Sequence, residues 1–287
     1  MGQQCYAGKC QGPDTICKPK VCDMDECCIG TQCLKPLPAS LELWLDWTSL
    51  RETATSTVWL DRSRHERQTA SSPQNPKTSG GPATGKPSLL ELDRDPRHIE
   101  VKGLGKSIFG DDGFLLLFAG SQRCEGVGRP EAQCAVSRMS PEGGLYVCIA
   151  GSASPRPEID TCEDDDNPRT CTALVAAPTQ NCGTIELLTV RRWTPASDPA
   201  AQPQLEIRRD GRQLATEPNS GSMLDSNFAL RIGGSPSKRR YSGNVALVAL
   251  FSGNFDEPSM CRLEHFVLAS LKAVGLRESF DLPETCD

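Results

Sequence analysis

A basic excess is missing from this 287-residue chain: 31 Lys and Arg face 37 Asp and Glu, a net charge of −6, and no basic stripe breaks the balance. A phosphate-binding surface needs clustered cations that release counterions, so the composition argues against nucleic acid as a partner. Long hydrophobic runs are missing too. The longest, residues 114–119 and 245–251, fall far short of the roughly 20 residues that cross a bilayer, and they read as buried strands. Aromatics make up only 5% of the chain and histidine occurs three times. His65, His98 and His265 have no Cys or carboxylate at the spacing of a catalytic triad, which points to structural or surface roles. Gly80-Gly81-Pro82-Ala83-Thr84-Gly85-Lys86 has the outline of a phosphate loop, but Pro87 stands where a Mg²⁺-holding Ser or Thr belongs, so it reads as a plain loop. Met1, Gly2, Gln3, Gln4 and Cys5 carry neither the basic nor the apolar region of a secretory leader, and the expectation is that a natural leader was removed and Met1 added. The lack of any N-x-[ST] sequon fits a bacterial secreted protein.

Cysteine, by contrast, is abundant. Fifteen are scattered over the chain, a usage that favours disulfides in an oxidising compartment and therefore a secreted or cell-surface protein. Seven fall in the first 35 residues, at positions 5, 10, 17, 22, 27, 28 and 33, among almost no large apolar side chains. Such a segment holds together only through covalent links or metals, and the absence of any C-x2-C knuckle favours disulfides over zinc. Seven is odd, so one of these cysteines is expected to be free, to pair outside the module, to carry lipid as Cys5 would, or to have lost a partner upstream. Pro36 and Pro38 make a stiff linker, which divides the chain into a Cys-rich module at 1–37 and a large domain at 38–287.

The large domain alternates. Leu41, Leu43, Leu45 and Trp47 stand out of phase with Glu42, Trp44 and Asp46, the period of a strand with one face buried. Further strands are expected at 57–60, 88–92, 99–101, 114–119, 145–151, 184–193, 205–209, 228–232 and 245–251, with Asp210-Gly211 as a hairpin turn and residues 62–88 as a polar surface excursion. From Pro258 onward, Leu263, Phe266, Val267, Ser270, Leu271 and Val274 line one face of a helix stopped by Gly275, expected to lie across the end of the fold as a latch. The fold class is all-β: an antiparallel two-sheet jelly-roll sandwich with one C-terminal helix, preceded by the disulfide-rich module.

Several motifs, in order, resemble the laminin-G-like and concanavalin A-like lectin-glucanase jelly rolls. They are Leu43-Trp44-Leu45-Asp46, Val58-Trp59-Leu60-Asp61-Arg62-Ser63, Leu90-Glu91-Leu92-Asp93, Leu205-Glu206-Ile207-Arg208-Arg209-Asp210-Gly211, Leu230-Arg231-Ile232-Gly233-Gly234 and Tyr241-Ser242-Gly243-Asn244-Val245-Ala246. The resemblance covers most of 38–287 and implies rim loops that bind glycans, proteins or calcium. Residues 124–182 depart from the pattern and read as a disulfide-bearing acidic insertion.

Four clusters carry candidate chemistry. Glu163, Asp164, Asp165 and Asp166 lie between Cys162 and Cys171 and would offer hard oxygen ligands to Ca²⁺; the same residues also read as a solvated acidic loop closed by a local disulfide. Glu91, Asp93 and Asp95 come close to the E-x-D-x-x-E strand of the family's glycosidases, but Asp95 is misplaced for an acid/base and Pro96 follows it. Trp44 points opposite to Leu43 and Leu45, and Trp193 closes a strand, so both are candidate sugar platforms, whereas Trp47 and Trp59 share the phase of core residues. Lys238, Arg239, Arg240 and Tyr241 form a basic cluster suited to an anionic glycan. Among the later cysteines, pairs 124–134, 148–182, 162–171 and 261–286 are expected. Together these readings describe a secreted or cell-surface, non-catalytic recognition or adhesion protein for glycan or an extracellular protein. A glycan-cleaving hydrolase and a structural part of an envelope assembly are the competing classes.

Overall fold

The computed structural model describes residues 5–6, 9–10, 16–17, 20–21, 27–29, 32–34, 40–53, 55–63, 65–72, 76–81, 86–93, 97–105, 113–123, 133–140, 143–150, 156–162, 171–176, 183–195, 201–219, 229–234, 241–277 and 286. In the Cys-rich part the described backbone forms three short antiparallel hairpins: β1 (Cys5–Tyr6) with β2 (Lys9–Cys10), β3 (Ile16–Cys17) with β4 (Lys20–Val21), and β5 (Cys27–Ile29) with β6 (Gln32–Leu34). Register sets Cys5 opposite Cys10 and Cys28 opposite Cys33. The Pro36–Pro38 linker lies outside the described residues.

The large domain continues with β7 (Ser40–Asp46), β8 (Leu50–Glu52), β9 (Thr57–Trp59), β10 (Thr69–Ser71), β11 (Lys77–Gly81), β12 (Lys86–Asp93), β13 (Ile99–Val101) and β14 (Phe114–Gln122). There follow β15 (Gln133–Ser140), β16 (Gly143–Ala150), β17 (Arg156–Cys162), β18 (Cys171–Val175), β19 (Glu186–Trp193), β20 (Gln204–Arg209), β21 (Arg212–Pro218), β22 (Leu230–Ile232) and β23 (Ser242–Ser252), then α1 (Glu257–Ala273). One sheet runs β11-β12-β23-β14-β19-β20-β21, and β12 and β7 share one edge of the long β23. The other runs β10-β13-β22-β15-β16-β17-β18, and β8 with β9 forms a separate hairpin. All pairings are antiparallel, so the domain is an all-β two-sheet sandwich with a single described helix.

Two apolar layers explain why these strands form. Phe114, Leu116 and Phe118 of β14 meet Val136, Leu145, Val147 and Ile232 between the sheets. Leu115, Leu117 and Ala119, from the opposite side of β14, meet Leu263, Phe266, Val267, Leu268 and Leu271 of α1. Central strands buried on both faces read as continuous apolar runs, which is why 114–119 and 245–251 stand out in the sequence. At Asp210-Gly211 both φ angles are positive, 50° and 80°, the geometry that a two-residue hairpin needs.

Three expectations are corrected. The helix covers the outer face of the eight-stranded sheet and not the end of the sandwich. Residues 124–182, read as an insertion, supply β15 to β18, four strands of the second sheet. Cys134 bonds to Cys148, not to Cys124, because β15 and β16 place the two directly opposite one another; the same pairing removes Cys148 from Cys182. The Cys261–Cys286 disulfide forms as expected, and register sets Cys162 opposite Cys171.

Beneath α1 lies a layer of charge. Arg191 and Arg208, on the sheet, meet three carboxylates: Glu206 from the same strands and Glu257 and Glu264 from the helix. Glu206 and Glu264 are fully buried.

Candidate functional site

The site begins with a strand that stops. β7 ends at Asp46, whose Oδ1 accepts from the Thr48 N–H at 2.9 Å and from Thr48 Oγ1 at 2.6 Å, while its carbonyl accepts from the Ser49 N–H at 3.0 Å. This Asx-type turn is a local side-chain alternative to continued strand pairing. Asp46 is further fixed by Trp44 Nε1, which donates to Oδ2 at 2.8 Å, by Arg62 Nη1 at 3.1 Å, and by Trp59 Nε1, which donates to the carbonyl at 2.7 Å. A buried carboxylate this fully satisfied is rigid. Its consequence is that Trp47 leaves the alternation of β7 and becomes half-buried at the mouth of a groove.

That groove has a volume of about 980 Å³ and is open to solvent on one side. Its walls come from the β7–β8 turn, the β8, β11 and β12 strands and the C-terminal end of α1. Trp47, Pro87 and Val274 supply apolar surface; Thr48, Thr78 and Ser88 supply hydroxyls; Arg51, Lys86 and Glu52 supply charge. Arg51 Nη1 donates to the carbonyls of Thr48 (2.7 Å) and Leu50 (2.9 Å), which holds its guanidinium along the rim. Thr78 Oγ1 donates to Glu52 Oε2, tying β8 to β11 across the groove. Gly80 has φ +80°, and a Cβ there would stand 2.2 Å from the Pro87 carbonyl, so the wall can close this tightly only with glycine. The phosphate-loop outline at 80–86 spans the connection between antiparallel β11 and β12, with no helix after it.

The expected site residues fall elsewhere. Trp44 is not a surface platform: it is 4% exposed, edge-on to Phe251 at 6.5 Å and tilted against Phe266 at 6.3 Å, because α1 covers the face it points to. Tyr241 is likewise no ligand contact. It is 1% exposed and T-stacked on Phe118 at 5.7 Å, and burial pushes its phenol far above the ordinary range. Trp193 is half-buried with the Arg191 guanidinium 4.0 Å from its ring centre, so one face is already taken. Glu91 and Asp93 share a face of β12, as strand period requires, but both turn to one cation: Arg123 lies 2.9 Å from Glu91 and 3.5 Å from Asp93. Neither lines the groove. Asp95, Lys238, Arg239, Arg240 and the Ca²⁺ candidates Glu163, Asp164, Asp165 and Asp166 lie outside the described residues. Trp47, assigned to the core by its phase, does pack half-buried against the apolar layer under α1, and its remaining surface lines the groove; that second role is what sequence reasoning missed, and the signal for it was the turn-forming Asp46, Thr48 and Ser49.

No protein-family model and no curated protein sequence matches the chain. Its fold is similar to solved structures of bacterial toxin modules. The receptor binding domain of botulinum neurotoxin D superposes with a TM-score of 0.58 at 9% identity, over 80% of this chain and 53% of that one. The binding domain of Paraclostridial Mosquitocidal Protein 1 gives 0.57 at 10% identity, over 79% and 52%. The botulinum neurotoxin type G receptor binding domain gives 0.56 at 11% identity, over 80% and 52%. The chain thus spans about half the length of these domains, and at such identity the likeness is one of fold.

Proposed function

We propose that this protein is a non-catalytic, extracellular recognition domain that binds carbohydrate in the groove at Trp47, and that its sandwich belongs with the laminin-G-like jelly rolls. The observation that carries the reading is the groove itself. A half-buried indole beside hydroxyls, two cations and a carboxylate offers both an apolar platform for a pyranose ring and hydrogen-bonding groups for its hydroxyls. The order of the sequence motifs and the fold likeness to domains named for binding support the family reading. The Cys134–Cys148 and Cys261–Cys286 disulfides support an oxidising, extracellular setting. The arrangement of Glu91 and Asp93 around Arg123, away from the groove, supports binding without hydrolysis.

A glycan array followed by calorimetry tests this. Trp47→Ala is expected to weaken a hit by about thirty-fold, the ~2 kcal/mol of a central aromatic contact, while Glu91→Gln leaves affinity unchanged and no reducing sugar is released. A silent array, or full affinity in Trp47→Ala, overturns the carbohydrate reading and leaves an extracellular protein as the partner. Reducing sugar released by the wild type and abolished in Glu91→Gln establishes the hydrolase instead.

A further inference from the structure

Cys261 and His265 stand one turn apart on α1, and Cys286 reaches them from the C-terminal tail; the ligand atoms of all three lie within 4.8 Å of one another. Cys261 and Cys286 are joined as a disulfide with their Cα atoms 5.5 Å apart. Against it sits a half-buried imidazole whose Nε2 is buried with no hydrogen-bond partner among the described residues. A disulfide alone needs no histidine, and a buried ring nitrogen without a partner is costly.

We propose that this cluster is a redox-interchangeable clasp: a disulfide under oxidising conditions, and a Zn²⁺ site of Cys261, His265 and Cys286 once the disulfide is reduced. A dithiol reductant would supply two electrons and two protons, breaking the S–S bond to give two thiols and a cyclic disulfide. Zn²⁺ then displaces the two thiol protons and takes two thiolates and one imidazole, leaving a fourth position for water. At Zn–S of about 2.3 Å, tetrahedral sulfurs stand roughly 3.8 Å apart, a separation that side-chain rotation reaches while the Cα atoms stay in place. Cysteine and histidine at i and i+4 present both donors on one helix face. The chemistry favours zinc over calcium or magnesium, which take oxygen ligands. The tail would remain fastened to α1 in either redox state.

Of the two described disulfides this one is the more accessible. Cys286 is half-buried, whereas Cys134 and Cys148 are both 0% exposed in the sandwich. The 287-residue protein would be treated with limiting phosphine reductant, cleared of it without air, and alkylated with N-ethylmaleimide with and without Zn²⁺, the modified positions being read by peptide mass mapping. Zn²⁺ is expected to slow alkylation of both Cys261 and Cys286 by more than about ten-fold, and His265→Gln to abolish that protection while still forming the Cys261–Cys286 disulfide in air. Absence of protection in the wild type, or equal protection in His265→Gln, overturns the proposal. Should His265→Gln not form the disulfide, Co²⁺ added to the reduced wild type decides. Tetrahedral visible bands with thiolate charge transfer that vanish in Cys286→Ser support the site, and their absence from the wild type or persistence in Cys286→Ser refutes it.

Discussion

Replacing Glu264 by glutamine isolates one ionisation inside the charge layer under α1. Glu264 is 0% exposed, and its Oε1 lies 3.2 Å from Arg208 Nε. Burial pushes its carboxyl from the ordinary 4.5 up to about 6; the attraction of Arg208 opposes the rise, and the negative Glu206 and Glu257 add to it. The folded state therefore keeps a proton that the unfolded chain releases at lower pH. Between about 4.5 and 6 the folded protein binds more protons than the unfolded one, so stability falls as pH rises through this window, the reverse of a salt-bridged surface carboxylate. At ~1.36 kcal/mol per decade of proton affinity the loss is about 2 kcal/mol. Glutamine fixes the neutral form, and the pull of Arg208 on the ionised form is already contained in the shifted pKa. Glu264→Gln should match the wild type near pH 4 and exceed it by about 2 kcal/mol at pH 7.5, or about 4–8 °C in Tm for a domain of this size. Urea unfolding of both proteins at half-unit steps from pH 4 to 8, followed by tryptophan fluorescence, measures the gap. A variant less stable than wild type at pH 7.5, or a gap that does not change between pH 4 and 7.5, would show that Arg208 holds the ionised carboxylate at net advantage and would refute the reasoning.

Four other outcomes are expected. Trp44→Ala should lower stability by about 3–5 kcal/mol in denaturant titration, and glycan affinity should fall in the folded fraction as well, because the indole N–H that helps fix Asp46 is lost. Trp47→Ala should weaken glycan binding about thirty-fold and cost less stability than Trp44→Ala, because its indole is only half-buried against the apolar layer under α1. Gly120→Ala places a Cβ 2.6 Å from the Phe118 ring and 2.8 Å from the Asn244 carbonyl, both in fixed positions at the bulge where β14 meets β23; a loss of about 1–3 kcal/mol in the same titration is expected. Asp256 caps α1 by accepting from the Ser259 N–H at 2.8 Å, and Asp256→Ala should cost about 1 kcal/mol. Hydrogen bonds from the Ser259 side chain and then from its backbone N–H hold the Asp256 carboxyl below its ordinary range, so the cap's contribution should fade as pH drops below 4, which thermal unfolding of wild type and variant at pH 3 and pH 7 would reveal.

What could be read from the chain beforehand follows from how each face of a strand is covered. Strands β14 and β23 declared themselves because both of their faces are apolar, and β13 and β20 because one is. Strands β10 and β11 did not, because each stands at the edge of its sheet, where polar residues are tolerated. Strand β15 hides behind Arg138, a buried arginine whose Nη2 donates to the carbonyls of Leu104 and Gly105. Missing that strand also misplaced the Cys134 partner, since the pairing depends on the β15–β16 register. The misplacing of Trp44 and the missed groove role of Trp47 have one origin. Alternation tells which residues share a face of β7, but not whether a second layer covers that face or where the strand ends. The amphipathic pattern from Pro258 announced a helix with an apolar stripe, and such a stripe must be buried against an apolar surface. The outer face of the central strands, Leu115, Leu117 and Leu247, was the surface available to it. Joining those two facts turns Trp44 inward, and ending β7 at the turn-forming Asp46 leaves Trp47 half-buried, with one part against that apolar layer and another lining the groove, which moves the candidate platform from the middle of the strand to its tip.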